Sequence, residues 1–137
     1  MRHPVTAAVG DRIPAREIGP LTQTDIVRFA GAGGDFNPLH HDPEFARKAG
    51  FAIPIAMGQM QAGILGAWLT DWCGVEHLRE YEVRFQAAVQ PGDVLELSGE
   101  VVAITENGGH SEAQLTLTAS RGSDPVVTAK AAVAVRS

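Results

Sequence analysis

A carboxylate and an imidazole five residues apart, Asp35 and His40, are the pair in this chain best suited to moving a proton. Pointed into one pocket, the two can each hydrogen-bond the same water, and an imidazole exchanges its proton near neutral pH. Between them, Asn37-Pro38 keeps Asn37 out of the α region and sets a turn, so the acid and the base bracket a bend instead of stacking on one helix. Upstream, Gly31-Ala32-Gly33-Gly34 stops the preceding helix, because glycine reaches positive φ at little cost, and Gly34 delivers Asp35 to a fixed place. The spacing alone also describes an aspartate that caps a turn and a histidine that packs on it. Geometry decides between the two.

The elements that must hold this pair can be read from period and punctuation. Residues 13–18 form a short strand ending at Gly19-Pro20. Thr22 and Asp25 make a capping-box start for a helix over 23–31, whose apolar stripe is Ile26, Val27, Phe29 and Ala30. Asp42-Pro43-Glu44 starts a second, short helix that ends at Gly50. Residues 55–73 read as one long helix, with Met60, Ile64, Leu65, Trp68, Leu69 and Trp72 at helical spacing and small residues between them. Such a helix is buried nearly all round and needs a sheet to wrap it. From residue 81 the period becomes two. Strands at 81–85, 94–102, 113–119 and 126–135 are separated by Gln90-Pro91-Gly92-Asp93, Asn107-Gly108-Gly109 and Gly122-Ser123-Asp124-Pro125, which predicts four antiparallel strands in meander order. The fold class is α+β.

Bulk properties exclude several functions. The chain has 137 residues, 45% of them hydrophobic and 20% charged, which predicts a single domain over 1–137 with one core. A net charge of −5 argues against nucleic acid or an anionic membrane as partner. Residues 51–70 carry no charge, but Pro54, Gly58, Gln59, Gln61, Gly63 and Gly66 interrupt them too often for a membrane span. One cysteine, Cys73, and an N-terminus without a signal-peptide core predict a cytoplasmic protein.

The string from Phe29 to His40, with its Gly34-Asp35-Phe36-Asn37-Pro38-Leu39-His40 core and Ala46 six residues further on, resembles the signature of the MaoC-like dehydratase and (R)-specific enoyl-CoA hydratase family. The segment 54–60 and the sheet-forming half are similar too, so the resemblance covers most of residues 10–135. It implies a hot-dog fold, an antiparallel sheet wrapped around one long central helix. It also implies reversible syn hydration of trans-2-enoyl thioesters, carried by coenzyme A or an acyl-carrier protein, to (R)-3-hydroxyacyl thioesters. Asp35 and His40 fall on the family's catalytic aspartate and histidine, and Asn37 on its structural asparagine, with Gly34 and Pro38 supporting the bend. One water between Asp35 and His40 would supply hydroxyl to C3 and proton to C2, without metal or redox cofactor. A backbone N–H near Gly58, at the start of the long helix, would meet charge developing on the thioester oxygen.

Many family members have a histidine immediately before that glycine, where this chain has Met57, which cannot donate a hydrogen bond. Met57 and Met60 are expected to line the pocket. His3, His41, His77 and His110 lack ligand-spaced partners and are expected at the surface, so no metal site is predicted. Trp68 and Trp72 read as helix–sheet core. Arg47, Lys48, Arg84, Arg121 and Lys130 are candidates for gripping carrier phosphates. Exposed sheet edges predict a homodimer or a heteromer with another hot-dog subunit. The rival functions are an acyl-CoA thioesterase on the same fold and an acyl-thioester-binding subunit of a heteromeric dehydratase.

Overall fold

The computed structural model describes residues 2–136, with Asn107 by its backbone alone. Strand β1 (Arg12–Ile18) is followed by helices α1 (Gln23–Gly33), α2 (Pro43–Lys48) and α3 (Gly58–Cys73), and then by β2 (Leu78–Phe85), β3 (Leu95–Asn107), β4 (His110–Arg121) and β5 (Asp124–Val135). The five strands form one antiparallel sheet in the order β1-β3-β4-β5-β2, and α3 packs against it through β2, β4 and β5.

Three of the strands pair as a meander because their turns are local. Gly108 and Gly109 both take positive φ, 58° and 83°, which suits the two-residue turn between β3 and β4, and Gly122 at 59° opens the turn into β5. The fourth strand departs from the expected meander. β2 pairs with β5 instead of β3, in register from Leu78 opposite Val133 to Phe85 opposite Val127. The turn at residues 90–93 is real, with Asp93 Oδ2 accepting from the Gln90 N–H at 3.0 Å, but it belongs to the connection 86–94, which carries the chain past β5 and β4 to reach β3. This crossing segment later forms one wall of the site.

Helix α1 starts as its sequence requires. Thr22 Oγ1 accepts from the Asp25 N–H at 3.0 Å and Asp25 Oδ2 accepts from the Thr22 N–H at 2.9 Å. The helix runs two residues beyond the expected end, to Gly33, and Gly34 closes it at φ 70°. Helix α3 begins at Gly58, later than the expected 55: Pro54 and the main-chain partners of Ile55 and Ala56 hold 55–57 extended.

Helix α3 is not buried all round. Leu65, Trp68 and Leu69 are buried, while Gln59, Gly63, Ala67 and Asp71, spaced four apart, stay exposed, because the sheet covers one side of the helix only. Two contacts seat it. Tyr81 donates its hydroxyl to the Ala62 carbonyl at 2.6 Å, and burial pushes that phenol up to about 12. Across the sheet, Gly99 lies under Trp68 and Leu117, where an added Cβ would meet Leu117 Cδ2 at 2.6 Å. Both tryptophans take the core role expected of them, Trp68 buried with its indole N–H on the Pro14 carbonyl at 3.0 Å and Trp72 packed against the core's edge. Gly99→Ala should therefore lower stability by about 1–3 kcal/mol in thermal or urea unfolding, as overpacking does, while Gly108→Asn, which puts asparagine first in the two-residue turn and keeps glycine second, should lower it by less.

Candidate active site

The bend between Asp35 and His40 is held from several sides. After Gly34 the Asp35 N–H bonds the Ala30 carbonyl at 2.9 Å, which ties the aspartate to the end of α1. Asp35 Oδ1 then accepts from the Asn37 N–H at 3.3 Å, and Asn37 Oδ1 accepts from the Leu39 N–H at 3.0 Å. That second contact is an Asx turn, and it caps the single 3-10 turn Pro38–His40. Asp42 ends the bend by capping α2, its Oδ1 accepting from the Glu44 and Phe45 N–H groups at 2.9 and 3.3 Å.

His40 is buried, its side chain 9% exposed against 46% for Asp35. Its Nδ1 lies 2.8 Å from the Ile55 carbonyl oxygen. A carbonyl only accepts, so Nδ1 carries the proton and donates, and the neutral ring presents a bare Nε2. That Nε2 lies 3.3 Å from Asp35 Oδ2. Two acceptors face each other there, so the pair is satisfied by a shared proton or by a water that donates to both.

The segment 55–57 links this pair to the start of α3. The Ile55 N–H donates to the Leu39 carbonyl at 3.2 Å and the Ala56 N–H to the Val89 carbonyl at 2.7 Å, so the strip is clasped between the bend and the crossing connection. Gly58 follows as the first residue of α3. Met57 precedes it as N-cap without a side-chain cap bond; the Met60 N–H turns back to the Met57 carbonyl at 3.0 Å, and the Gly58 and Gln59 N–H groups are the ones left for a ligand. A Cβ at Gly58 would meet the Phe85 ring at 2.9 Å, so glycine here also permits close packing.

Asp35, His40, residues 55–59, Gln61 and Phe85 with residues 86–88 line an open groove of about 600 Å³. It brings together Asp35, His40, Met57 and Gly58. Met60 is not among its lining residues. At about 100° of helical turn per residue, Met60 faces away from Gln61 and lines a separate groove with Ile18, Leu21, Phe29 and Ile64. None of the five phosphate candidates lines the groove either. Arg121 is held by Asp93 at 2.7 Å and by the Ala88 carbonyl at 2.9 Å, Lys48 pairs with Glu44 at 3.4 Å, and Arg84 and Lys130 line a different groove with Glu82. His3, His41 and His110 are exposed as expected, but His77 is buried and bonded through Nε2 to the Arg2 carbonyl.

Two residues of the site escaped the sequence reading. Gln23 Nε2 donates to the His40 carbonyl at 2.7 Å, bracing the bend from α1, and nothing local in the sequence marks it. Gln61 is buried at 2% exposure in the groove wall, and its signal was present: it is the polar member of an otherwise apolar 61-65-68 stripe.

An antiparallel sheet against one long helix, with Asp35 and His40 beside the helix start, is the hot-dog architecture. The chain belongs to the MaoC like domain family, whose profile matches residues 5–122. It is 31% identical over 118 residues to the 3-hydroxybutyryl-CoA dehydratase of Methylorubrum extorquens, covering 84% of this chain and 73% of that one. Its fold matches the (R)-hydratase from A. caviae involved in PHA biosynthesis with a TM-score of 0.76 at 25% identity, over 95% of this chain and 98% of that one. It matches a chain of the ChsH1-ChsH2 complex from Mycobacterium tuberculosis with a TM-score of 0.82 at 24% identity, over 96% and 100% of the two chains. The chain spans only 9% to 33% of the length of several other curated relatives it matches.

Gln23→Leu should keep α1 capped by Thr22 while freeing the His40 carbonyl. Amide hydrogen exchange is then expected to speed up by about tenfold or more at residues 39–42 and to stay unchanged at the start of α1.

Proposed function

We propose that the chain hydrates trans-2-enoyl thioesters to (R)-3-hydroxyacyl thioesters and catalyses the reverse dehydration. The observation that carries this is the contact of His40 Nδ1 with the Ile55 carbonyl, which turns Nε2 toward Asp35 Oδ2 at 3.3 Å beside the start of α3. A water there donates one proton toward the pair and turns a lone pair toward C3 of the substrate. As the C3–O bond forms, one O–H bond breaks and its proton passes to the Asp35–His40 pair. The C2=C3 electrons move toward C2 and the thioester carbonyl, whose developing oxyanion meets the Gly58 N–H and the positive end of α3. The pair then delivers the proton to C2 on the face the water came from, which makes the addition syn. The acid and base are both side chains of this protein, so the reaction asks for no metal and no redox cofactor. Met57, apolar and 5% exposed, acts as wall only, since the oxyanion donor is main chain.

The carrier is coenzyme A or an acyl-carrier protein. The working unit is a dimer or a pair with a second hot-dog subunit: Phe85, which lines the groove beside Gly58, and Phe36, next to Asp35 in the chain, are 52% and 70% exposed. Among the described residues no helix is long and apolar enough to cross a membrane. Cys73, buried with its thiol pushed up by desolvation, fits a reducing compartment such as the cytoplasm.

Asp35→Asn and His40→Ala should each lower kcat for crotonyl-CoA or a longer enoyl-CoA by about 10³-fold or more, with circular dichroism unchanged. Loss of the conjugated chromophore is the readout. Full activity in either variant contradicts the assigned roles, and release of free thiol from a saturated acyl-CoA would assign a thioesterase instead.

A further inference from the structure

Gln61 lies one turn into α3 and its side-chain oxygen is buried without a hydrogen-bond partner among the described residues. It lines the same groove as Asp35 and His40. An amide oxygen left unpaired in the interior costs the folded state stability, and an apolar side chain of similar volume would avoid that cost. The position makes physical sense when the oxygen gains its partner from whatever fills the groove.

The neighbouring groups restrict what that partner is. With Nδ1–H of His40 committed to the Ile55 carbonyl, His40 Nε2, Asp35 Oδ2 and Gln61 Oε1 are all acceptors. A water or a hydroxyl is the donor such a set lacks. The three acceptors are not equivalent, however. A carboxylate and an imidazole remove protons, whereas an amide oxygen accepts a hydrogen bond and is no base at neutral pH. The two protons of the attacking water also have unequal fates: one leaves for C2, and the other stays on the oxygen that becomes the 3-hydroxyl.

On the hydration chemistry proposed above, we propose that Gln61 touches the reacting oxygen, its Oε1 holding the proton that stays. The remaining proton then faces the Asp35–His40 pair and the free lone pair faces C3. In dehydration the same oxygen takes the hydrogen bond of the 3-hydroxyl, the pair removes the C2 proton, and the hydroxyl departs as water when that proton is returned to it.

Gln61→Leu and Gln61→Met in the full chain test this, with kinetics in both directions and thermal unfolding. Tm is expected to stay level or rise. In hydration, kcat should fall about 10- to 100-fold with KM for the enoyl thioester unchanged, because water orientation and not acyl binding is lost. In dehydration the same factor should appear mainly as a raised KM for the 3-hydroxyacyl thioester, since the reaction equilibrium ties the two kcat/KM values together. Wild-type kinetics in both variants would overturn the proposal. So would a lowered Tm with equal kcat losses in both directions and unmoved KM, the pattern of a packing role. A wild-type chain that hydrates no enoyl thioester overturns the reaction and this role together, whereas an active wild type with equally active variants overturns the role of Gln61 alone.

Discussion

The hydrogen bond from His40 Nδ1–H to the Ile55 carbonyl is the constraint on which the site depends. It decides which ring nitrogen is bare, aims that nitrogen at Asp35, and joins the Asn-Pro bend to the strip that leads into α3. The reciprocal bond from the Ile55 N–H to the Leu39 carbonyl closes a small clasp, so acid, base and helix start are positioned relative to one another through main chain and not through long side chains. Main-chain clasps lose little entropy on binding substrate, because their torsions are already fixed in the free protein.

The remainder of the fold presses this clasp into place. The connection 86–94 exists because β2 sits at the far side of β5, and in crossing back it supplies the Val89 carbonyl that holds Ala56 and the residues 86–88 that wall the groove. Arg121 and Asp93 pin that connection, with the Arg121 guanidinium reaching both Asp93 and the Ala88 carbonyl. A cation expected to grip phosphate is thereby a strut for the site wall. Met57 replaces a histidine common in the family without touching the clasp, because the groups it adjoins act through backbone.

What could be read in the sequence was whatever rests on neighbours along the chain. The Thr22–Asp25 capping box, the bend at Asn37-Pro38 and the glycine turns of β3–β4–β5 all depend on a few consecutive residues and stand where they were expected, while α1 stops two residues later than expected within its glycine run. The place of β2 was not legible, because pairing with β5 is settled by covering α3 and not by the turn that follows β2. Residues 55–57 looked helical from their apolar run, but Leu39 and Val89 supply partners that only the folded chain brings near. His77 read as a surface residue because its partner, the Arg2 carbonyl, lies 75 residues away. Gln61 was visible as a polar residue against a membrane span, but its meaning came from having no partner.

The central claim is that Asp35 and His40 hold one water that adds across a single face of the double bond. Hydration of a trans-2-enoyl thioester in D₂O, followed by NMR of the product's C2 and C3 protons, tests it most directly. A single diastereomer, (R) at C3 with one deuterium on C2 placed syn to the new hydroxyl, is the predicted result. An anti product, or a mixture of C2 epimers formed at the first turnover, would contradict it.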